Sequence, residues 1–286
     1  EPEPPAPVTE PEKTFEEVLD EHPVSIQVNG QWQTFPNARA AEEAAYGEYK
    51  DNLRRTAENF RITDDHLGEG GPKAKFQANI AAIKLLKYLE ETTEQATPEQ
   101  QKILSRYVGW GGLADAFDPE KPAWAAEYTQ LKELLTPEEY TAARGSTLNA
   151  HYTSPTVIRA IYETVGRMGF ETGNILEPSM GVGNFFGMLP EEMRNSRLYG
   201  VELDPISGRI AKQLYPKADI TVGGFETTDR RDFFDLAIGN VPFGQYQVND
   251  KAYNKLNFNI HNYFFAKALD QVRPGGVVAF VTSRYT

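Results

Sequence analysis

The chain has 286 residues, 40% of them hydrophobic, which is enough apolar material for one large domain or two ordinary ones. It contains no cysteine, and this excludes both a disulfide framework and thiolate metal ligands. No apolar run approaches the roughly 20 residues of a membrane span. We therefore expect a cytoplasmic protein without a signal peptide or membrane contact, and a first residue Glu1 suggests part of a longer chain.

The formal charge of −12 is concentrated in the first half of the chain. Residues 1–145 hold 15 Lys and Arg against 27 Asp and Glu, whereas residues 146–286 hold 14 of each. An acidic surface repels phosphate backbones. Any contact with nucleic acid is therefore expected from residues 146–286 or from a segment outside this sequence.

The first half reads as a linker followed by a mostly helical domain. The Pro- and Glu-rich residues 1–14 predict a disordered linker. Alternation around Asn29-Gly30 predicts a β-hairpin in the domain at 15–145. Apolar periodicity and cap signals predict its helices, at 38–60, 76–91, 98–108, 124–135 and 137–144.

One short segment of the first half, around Trp110, has two interpretations. Trp110 stands among glycines in Gly109-Trp110-Gly111-Gly112. It is interpreted either as a core residue at a helix end or as a surface on which a ligand stacks. His22, His66 and His151 are scattered and show no paired spacing, so we expect no metal site.

The second half alternates strand-like and helical segments. Five strands are predicted, at 174–178, 197–203, 218–225, 234–240 and 276–283. Three helices are predicted between them, ending near Leu189 and spanning 205–215 and 259–272. This rhythm predicts an α/β domain at 146–286, with a Rossmann-like parallel sheet and helices on both faces. Ligands of such sheets bind at the carboxyl ends of the strands.

The first predicted strand ends in a glycine loop, Glu177-Pro178-Ser179-Met180-Gly181-Val182-Gly183-Asn184-Phe185-Phe186. Glycines let the backbone approach a ligand and turn into a helix. The dinucleotide fingerprint fails because Phe186 occupies the position of its third glycine. Glu177 would repel a pyrophosphate and suits a ligand that presents an ammonium group.

The second strand ends at Glu202, 21 positions after Gly181. An acid at this place accepts hydrogen bonds from ribose hydroxyls. The two loops together predict a nucleoside ligand with a positive group and no diphosphate, a profile that S-adenosyl-L-methionine has. The alternative is that each acid is a helix cap or a surface residue.

The residues from His151 to Thr286 resemble the class I S-adenosylmethionine-dependent N6-adenine DNA methyltransferases. The resemblance implies S-adenosyl-L-methionine as cofactor, a flipped adenine in duplex DNA as substrate, and catalysis by Asn240, Val241, Pro242 and Phe243. It implies cofactor-binding roles for Tyr152, Thr153, Pro155, Glu177, Pro178, Ser179, Gly181, Gly183, Asn184, Phe185, Glu202, Leu203, Glu226 and Asn240. The segments NFRITDD, KFQANIAAIKLL and RYVGWGG are similar to those preceding this domain in large methylase–helicase proteins of conjugative elements and phages. Fusion to a helicase or to other domains is therefore implied as well.

The family chemistry gives each catalytic residue type a role. An adenine amino group is a poor nucleophile because its lone pair is delocalised into the ring. By resemblance, the Asn240 side-chain oxygen and the carbonyl of Val241 or Pro242 accept the two amino hydrogens. Phe243 stacks on the flipped base.

Three departures from the family pattern leave alternatives open. Val241 replaces the usual first proline of the motif, and Gly224 stands where the family often has an acid, for which Glu226 or Asp229 is the candidate substitute. The sequence also ends after the fifth predicted strand, so we expect an incomplete methyltransferase domain. The alternatives are an inactive module that binds the cofactor or serves as a scaffold, and a methyltransferase that acts on protein glutamine or RNA.

Overall fold

The structure is a computed structural model that describes residue 14 and residues 21–66, 68–147 and 153–282. The chain forms two compact units, Glu1–Thr56 and Ala57–Thr286. Most of the predicted linker at 1–14 lies outside the described residues. The predicted domain boundary at residues 145/146 stays a prediction.

The first unit contains the predicted hairpin and one helix. Strands β1 (Val24–Val28) and β2 (Gln31–Phe35) pair antiparallel across the Asn29-Gly30 turn. Both turn residues have positive φ, 52° and 74°, as a type I′ turn requires. Helix α1 (Ala38–Thr56) ends four residues before the predicted end.

The second unit contains a five-stranded parallel sheet, which confirms the predicted fold class. Its strands are β3 (Asn174–Glu177), β4 (Arg197–Glu202), β5 (Asp219–Val222), β6 (Phe234–Asn240) and β7 (Val272–Val281). Their order is β5-β4-β3-β6-β7, and every pairing is parallel. The chain order reverses between β3 and β6, so their connections leave in opposite directions.

Most helices of the second unit begin at or next to their predicted first residue, and the helix Pro155–Arg167 was not predicted. They are α2 (Pro72–Glu91), α3 (Pro98–Leu104), α4 (Ala125–Leu134), α5 (Pro137–Ser146), α6 (Pro155–Arg167), α7 (Asn184–Gly187), α8 (Pro205–Leu214) and α9 (Ile260–Gln271). Thr97 and Thr136 each form a capping box with the Gln or Glu three residues later. No helix in the described ranges is long and apolar enough to cross a membrane.

Several predicted boundaries differ from the structure, since α2 begins at Pro72 rather than residue 76 and α3 ends at Leu104 rather than residue 108. Helix α7 stops at Gly187 rather than Leu189, since Leu189 precedes Pro190 and this position disfavours helix. Strand β5 stops at Val222, because Phe225–Thr227 form a 3₁₀ turn. Strand β7 starts at Val272, where it pairs with Phe234 before a register shift.

Alternating side chains of the strands enter two hydrophobic cores. On β3, Ile175 packs in the same core as α6 and α8, whereas Leu176 packs in the core beneath α9. Residues of α2, α3 and α5 also belong to the first of these cores, and these three helices pack against α8. The helical region after residue 57 and the sheet therefore share one hydrophobic core.

Polar contacts join the same helices to α8. The buried Gln101 side chain donates hydrogen bonds to the carbonyls of Gln213 and Leu214, at 3.1 and 3.2 Å, where α8 ends. The Glu139 carboxylate, only 5% exposed, pairs with Lys87 at 2.9 Å and with Arg209 at 2.5 Å. These bonds fix the position of α8, and with it the loop that joins β4 to α8.

Candidate active site

A cavity of about 260 Å³ opens at the carboxyl ends of β3, β4 and β6. Its position is the one expected for an open parallel sheet, since the connections of β3 and β6 diverge there. The cavity brings together predicted residues from all three strand ends and from the start of α6: Thr153, Glu177, Ser179, Gly181, Asn184, Phe185, Glu202, Asn240, Val241, Pro242 and Phe243.

The glycine loop after β3 depends on two left-handed residues. Gly181 and Gly183 have φ values of 56° and 82°, a region that side chains disfavour. A β-carbon on Gly183 would lie 2.5 Å from the Tyr215 ring and 2.9 Å from the Met180 methyl group. The Met180 amide also donates to the Val201 carbonyl at 3.0 Å, which ties the loop to β4.

Glu202 joins the glycine loop to the end of β4. Its carboxylate oxygens accept hydrogen bonds from the backbone amides of Gly181, at 2.6 Å, and Asp204, at 2.7 Å. Burial raises the pKa of Glu202 to about 7, and these amides partly oppose the effect. Burial therefore disfavours the charged form of this carboxyl group.

Glu177 is a buried acid at the end of β3, only 2% exposed. Its Oε2 atom has no hydrogen-bond partner among the described residues. Burial raises the pKa of Glu177 well above its ordinary value, and the nearby Glu202 charge adds to the shift. A cationic group in the cavity would favour the ionised form of this carboxyl.

The segment Asn240-Val241-Pro242-Phe243 leaves β6 at the cavity wall. Val241 is buried, and its amide donates to the Val281 carbonyl of β7 at 3.2 Å. The preceding Gly239 has a φ of 149°, and a β-carbon there would lie 3.3 Å from Glu177 Cγ. Strand pairing, rather than a proline ring, thus holds the backbone at position 241.

Several predicted residues do not line this cavity. Tyr152 lies outside the described residues, Pro155 is buried as the first residue of α6, and Leu203 is 74% exposed. Pro178 and Gly183 shape the glycine loop without lining the cavity. Glu226 lines a different cavity, together with residues around Asp250 and Lys267.

Eight cavity residues were not among the predicted site residues: Tyr107, Val108, Gly109, Ser146, Met180, Val182, Asp204 and Ser207. The first four belong to the helical region, where the RYVGWGG segment was recognised only by resemblance. Asp204 carries a local signal, since it caps α8 by accepting from the Ser207 amide at 2.8 Å. Trp110 is 1% exposed and packs in the core, so the core interpretation of the Trp-Gly segment is confirmed.

No group of three or more potential metal-ligating acids and histidines occurs within the part of the chain that the structure describes. The described histidines His22, His66 and His261 lie on different elements, and only His261 is buried.

Comparison with known proteins finds relatives, of which one is named as a methyltransferase. No protein-family model matches it. It is 27% identical over 220 residues to the "Defense against restriction protein B" of Escherichia phage P1, covering 75% of this chain and 8% of that protein. It is 42% identical over 83 residues to the "Type II methyltransferase M.CvrRI" of Paramecium bursaria Chlorella virus XZ-6E, covering 29% of this chain and 21% of that protein. The chain thus spans only a small part of either relative.

Solved structures give weaker likenesses. A type I restriction-modification methyltransferase subunit from Streptococcus thermophilus aligns with a TM-score of 0.41 and 14% identity, covering 86% of this chain and 63% of that one. A TehB-like S-adenosylmethionine-dependent methyltransferase from Corynebacterium glutamicum aligns with a TM-score of 0.31 and 21% identity. The alignment covers 56% of this chain and 72% of that one. Because these scores are below 0.5, the fold is assigned from the strand order itself.

The sequence therefore resembles the class I S-adenosylmethionine-dependent methyltransferases, as its strand-end motifs predict. More particularly, it resembles part of a phage defence protein.

Proposed function

We propose that the chain is a methyltransferase module that transfers a methyl group from S-adenosyl-L-methionine to the N6 amino group of adenine in DNA. One observation carries the proposal. Asn240, Pro242 and Phe243 line the same cavity as the glycine loop and Glu202. The acceptor-binding segment and the cofactor-binding loops thus meet at one place, as methyl transfer requires.

The cavity residues fit the cofactor. S-adenosyl-L-methionine supplies an electrophilic methyl group on a sulfonium centre. The buried Glu177 Oε2 atom lacks a hydrogen-bond partner among the described residues and suits the ammonium of the amino-acid part. Glu202 suits the ribose hydroxyls, because each of its oxygens can accept another hydrogen bond beside the amide it already binds. The glycine loop leaves space for the ligand beside Gly181.

The residues after β6 fit an amino group as the methyl acceptor. The Asn240 side-chain oxygen and a backbone carbonyl at Val241 or Pro242 accept the two amino hydrogens, which exposes the nitrogen lone pair. Phe243 offers a partly buried ring for stacking against a flipped base. These groups act by orientation and by polarising the amine, and they need no covalent nucleophile.

DNA is the acceptor that the relatives favour. One relative is named as a type II methyltransferase and another as a defence protein against restriction. Since the chain covers 21% and 8% of these proteins, the DNA substrate, a helicase partner and a mobile-element context remain parts of this proposal. The same amine chemistry would serve protein glutamine or RNA, so the test includes those acceptors.

The decisive experiment measures transfer of a tritiated methyl group from S-adenosyl-L-methionine to adenine-containing duplex DNA. The expected result is label on the adenine N6 nitrogen, with a loss of roughly 100-fold or more in Asn240→Ala. Asn262→Ala is the matched control, because Asn262 is exposed at the start of α9. It should retain the wild-type rate.

Acceptor panels and calorimetry separate the alternatives. Label on a glutamine-containing peptide or on RNA, but not on DNA, would replace the proposed substrate. Tight binding of S-adenosylhomocysteine without transfer to any acceptor would instead support a binding module. Transfer to DNA that Asn240→Ala leaves unchanged would contradict the assigned catalytic segment.

A further inference from the structure

We infer that Tyr107, in the helical region before the sheet, binds the adenosyl half of the cofactor through its hydroxyl group. This inference rests on the proposed function, because it assigns a new residue to the same cofactor site. It makes the segment Tyr107-Val108-Gly109 a wall of the cofactor cavity rather than only a part of the helical core.

The first observation is a set of buried polar atoms without partners. Among the described residues, Tyr107 Oη, Glu177 Oε2 and Asp204 Oδ1 are buried and make no hydrogen bond. All three residues line the one cavity at the strand ends. A buried polar group without a partner destabilises the folded state, so such a group in a native site calls for a partner that binds there. A donor and two acceptors around one cavity match a ligand that carries both hydroxyl and amino groups.

The second observation is the position of the Tyr107 hydroxyl. The side chains of Ser207 and Trp110 lie within interaction range of it, but neither reaches hydrogen-bond geometry. Ser207 Oγ instead contacts Asp204 Oδ2 at 2.5 Å. Asp204 and Ser207 lie at the start of α8, directly after Glu202. Tyr107 therefore faces the ribose side of the cavity rather than the Glu177 side.

The third observation is the rigidity of the segment. The buried Asn79 side chain accepts from the Val108 amide at 2.9 Å and donates to the Gly109 carbonyl at 2.6 Å. The Tyr107 ring packs edge-on against Trp110, with 6.3 Å between ring centroids. Gly109 has a φ of 71°, which lets the chain turn away directly after the wall. The hydroxyl is thus held in place before a ligand binds, which lowers the entropic cost of using it.

The protonation state suits a donor. Burial raises the pKa of Tyr107 well above its usual value, and the Asp204 charge adds to the effect. The phenol keeps its proton at neutral pH and donates a hydrogen bond, while Asp204 Oδ1 offers an acceptor beside it. A ribose hydroxyl can accept from the first and donate to the second.

The test compares Tyr107→Phe with wild type in ligand binding and in stability. S-adenosylhomocysteine and 5′-methylthioadenosine, which lacks the amino-acid part, are titrated by calorimetry. The expected result is about a three- to tenfold weaker affinity for both ligands. Thermal unfolding without ligand should not shift downward, because the hydroxyl has no partner among the described residues to lose.

Tyr88→Phe is the control, since Tyr88 is half-exposed on α2. It should change neither affinity. Wild-type affinity in Tyr107→Phe, with wild type binding normally, overturns the inference and leaves the proposed function intact. A loss confined to S-adenosylhomocysteine also overturns it, because the contact would then involve the amino-acid half. A lower unfolding temperature with unchanged affinity would show that the hydroxyl is structural, and failure of wild type to bind either ligand would overturn the proposed function itself.

Discussion

At the scale of single residues, the site depends on two acids in unequal environments. One buried oxygen of Glu177 has no partner within the described part of the chain, whereas both oxygens of Glu202 accept hydrogen bonds from backbone amides. The amides only partly offset the burial of Glu202, whose pKa rises from 4.5 to about 7. Burial thus destabilises the ionised form of the Glu202 carboxyl group, and this has a measurable consequence.

We expect Glu202→Gln to weaken the pH dependence of stability. A raised folded-state pKa means that, between about pH 4.5 and 7, the folded protein holds a proton that the unfolded chain has lost. The free energy of unfolding therefore falls as pH rises through this range, and Glu202→Gln removes its share of that fall. Denaturant unfolding at pH 5 and pH 8 measures the difference. The control Glu171→Gln, at an exposed position, should keep the wild-type dependence of the free energy of unfolding on pH. The same dependence in Glu202→Gln would contradict a raised pKa for Glu202.

At the scale of elements, the ends of β3, β4 and β6 were predictable because their signals are local. The glycines, Glu202 and the Asn-Val-Pro-Phe segment each follow a strand-like run in the sequence, and the parallel sheet brings them together. The contribution of Tyr107 was not predictable, since it depends on how α3 packs beside α8. The start of β7 was also missed, because Pro274-Gly275-Gly276 resembles a turn although its strand pairs from Val272.

The pairing of β6 with β7 explains the valine in the acceptor-binding segment. A proline at position 241 would remove the amide that bonds to Val281. We expect Val241→Pro to lower the free energy of unfolding by about 1–3 kcal/mol and to slow methyl transfer. Val241→Ala keeps the amide but loses buried volume, so it measures the packing contribution separately. Wild-type stability and rate in Val241→Pro would show that the contact with β7 does not hold this segment.

At the scale of the whole molecule, the helices from residue 57 onward and the sheet behave as one structural unit. Leu104, Trp110 and Leu131 of the helical region belong to the same core as Ile206 and Ile210 of α8. The buried Glu139 carboxylate joins α5 to α2 and α8 through its two cationic partners. The predicted boundary at residues 145/146 rests on the change in the rhythm of elements there, whereas packing across that point is a long-range property that local sequence patterns do not encode.

This shared core predicts how fragments will fold. A fragment of residues 57–286 should unfold in one cooperative transition, because its helices and sheet bury each other's apolar surface. A fragment of residues 146–286 should lose that transition, since it exposes the apolar face of α8 and leaves Arg209 without Glu139 and Glu90. Denaturant unfolding followed by circular dichroism, with a hydrophobic dye to detect exposed surface, measures both. Cooperative unfolding of the shorter fragment at wild-type stability would instead support a domain boundary at residue 145, and the helical region would then be dispensable for the fold that carries the site.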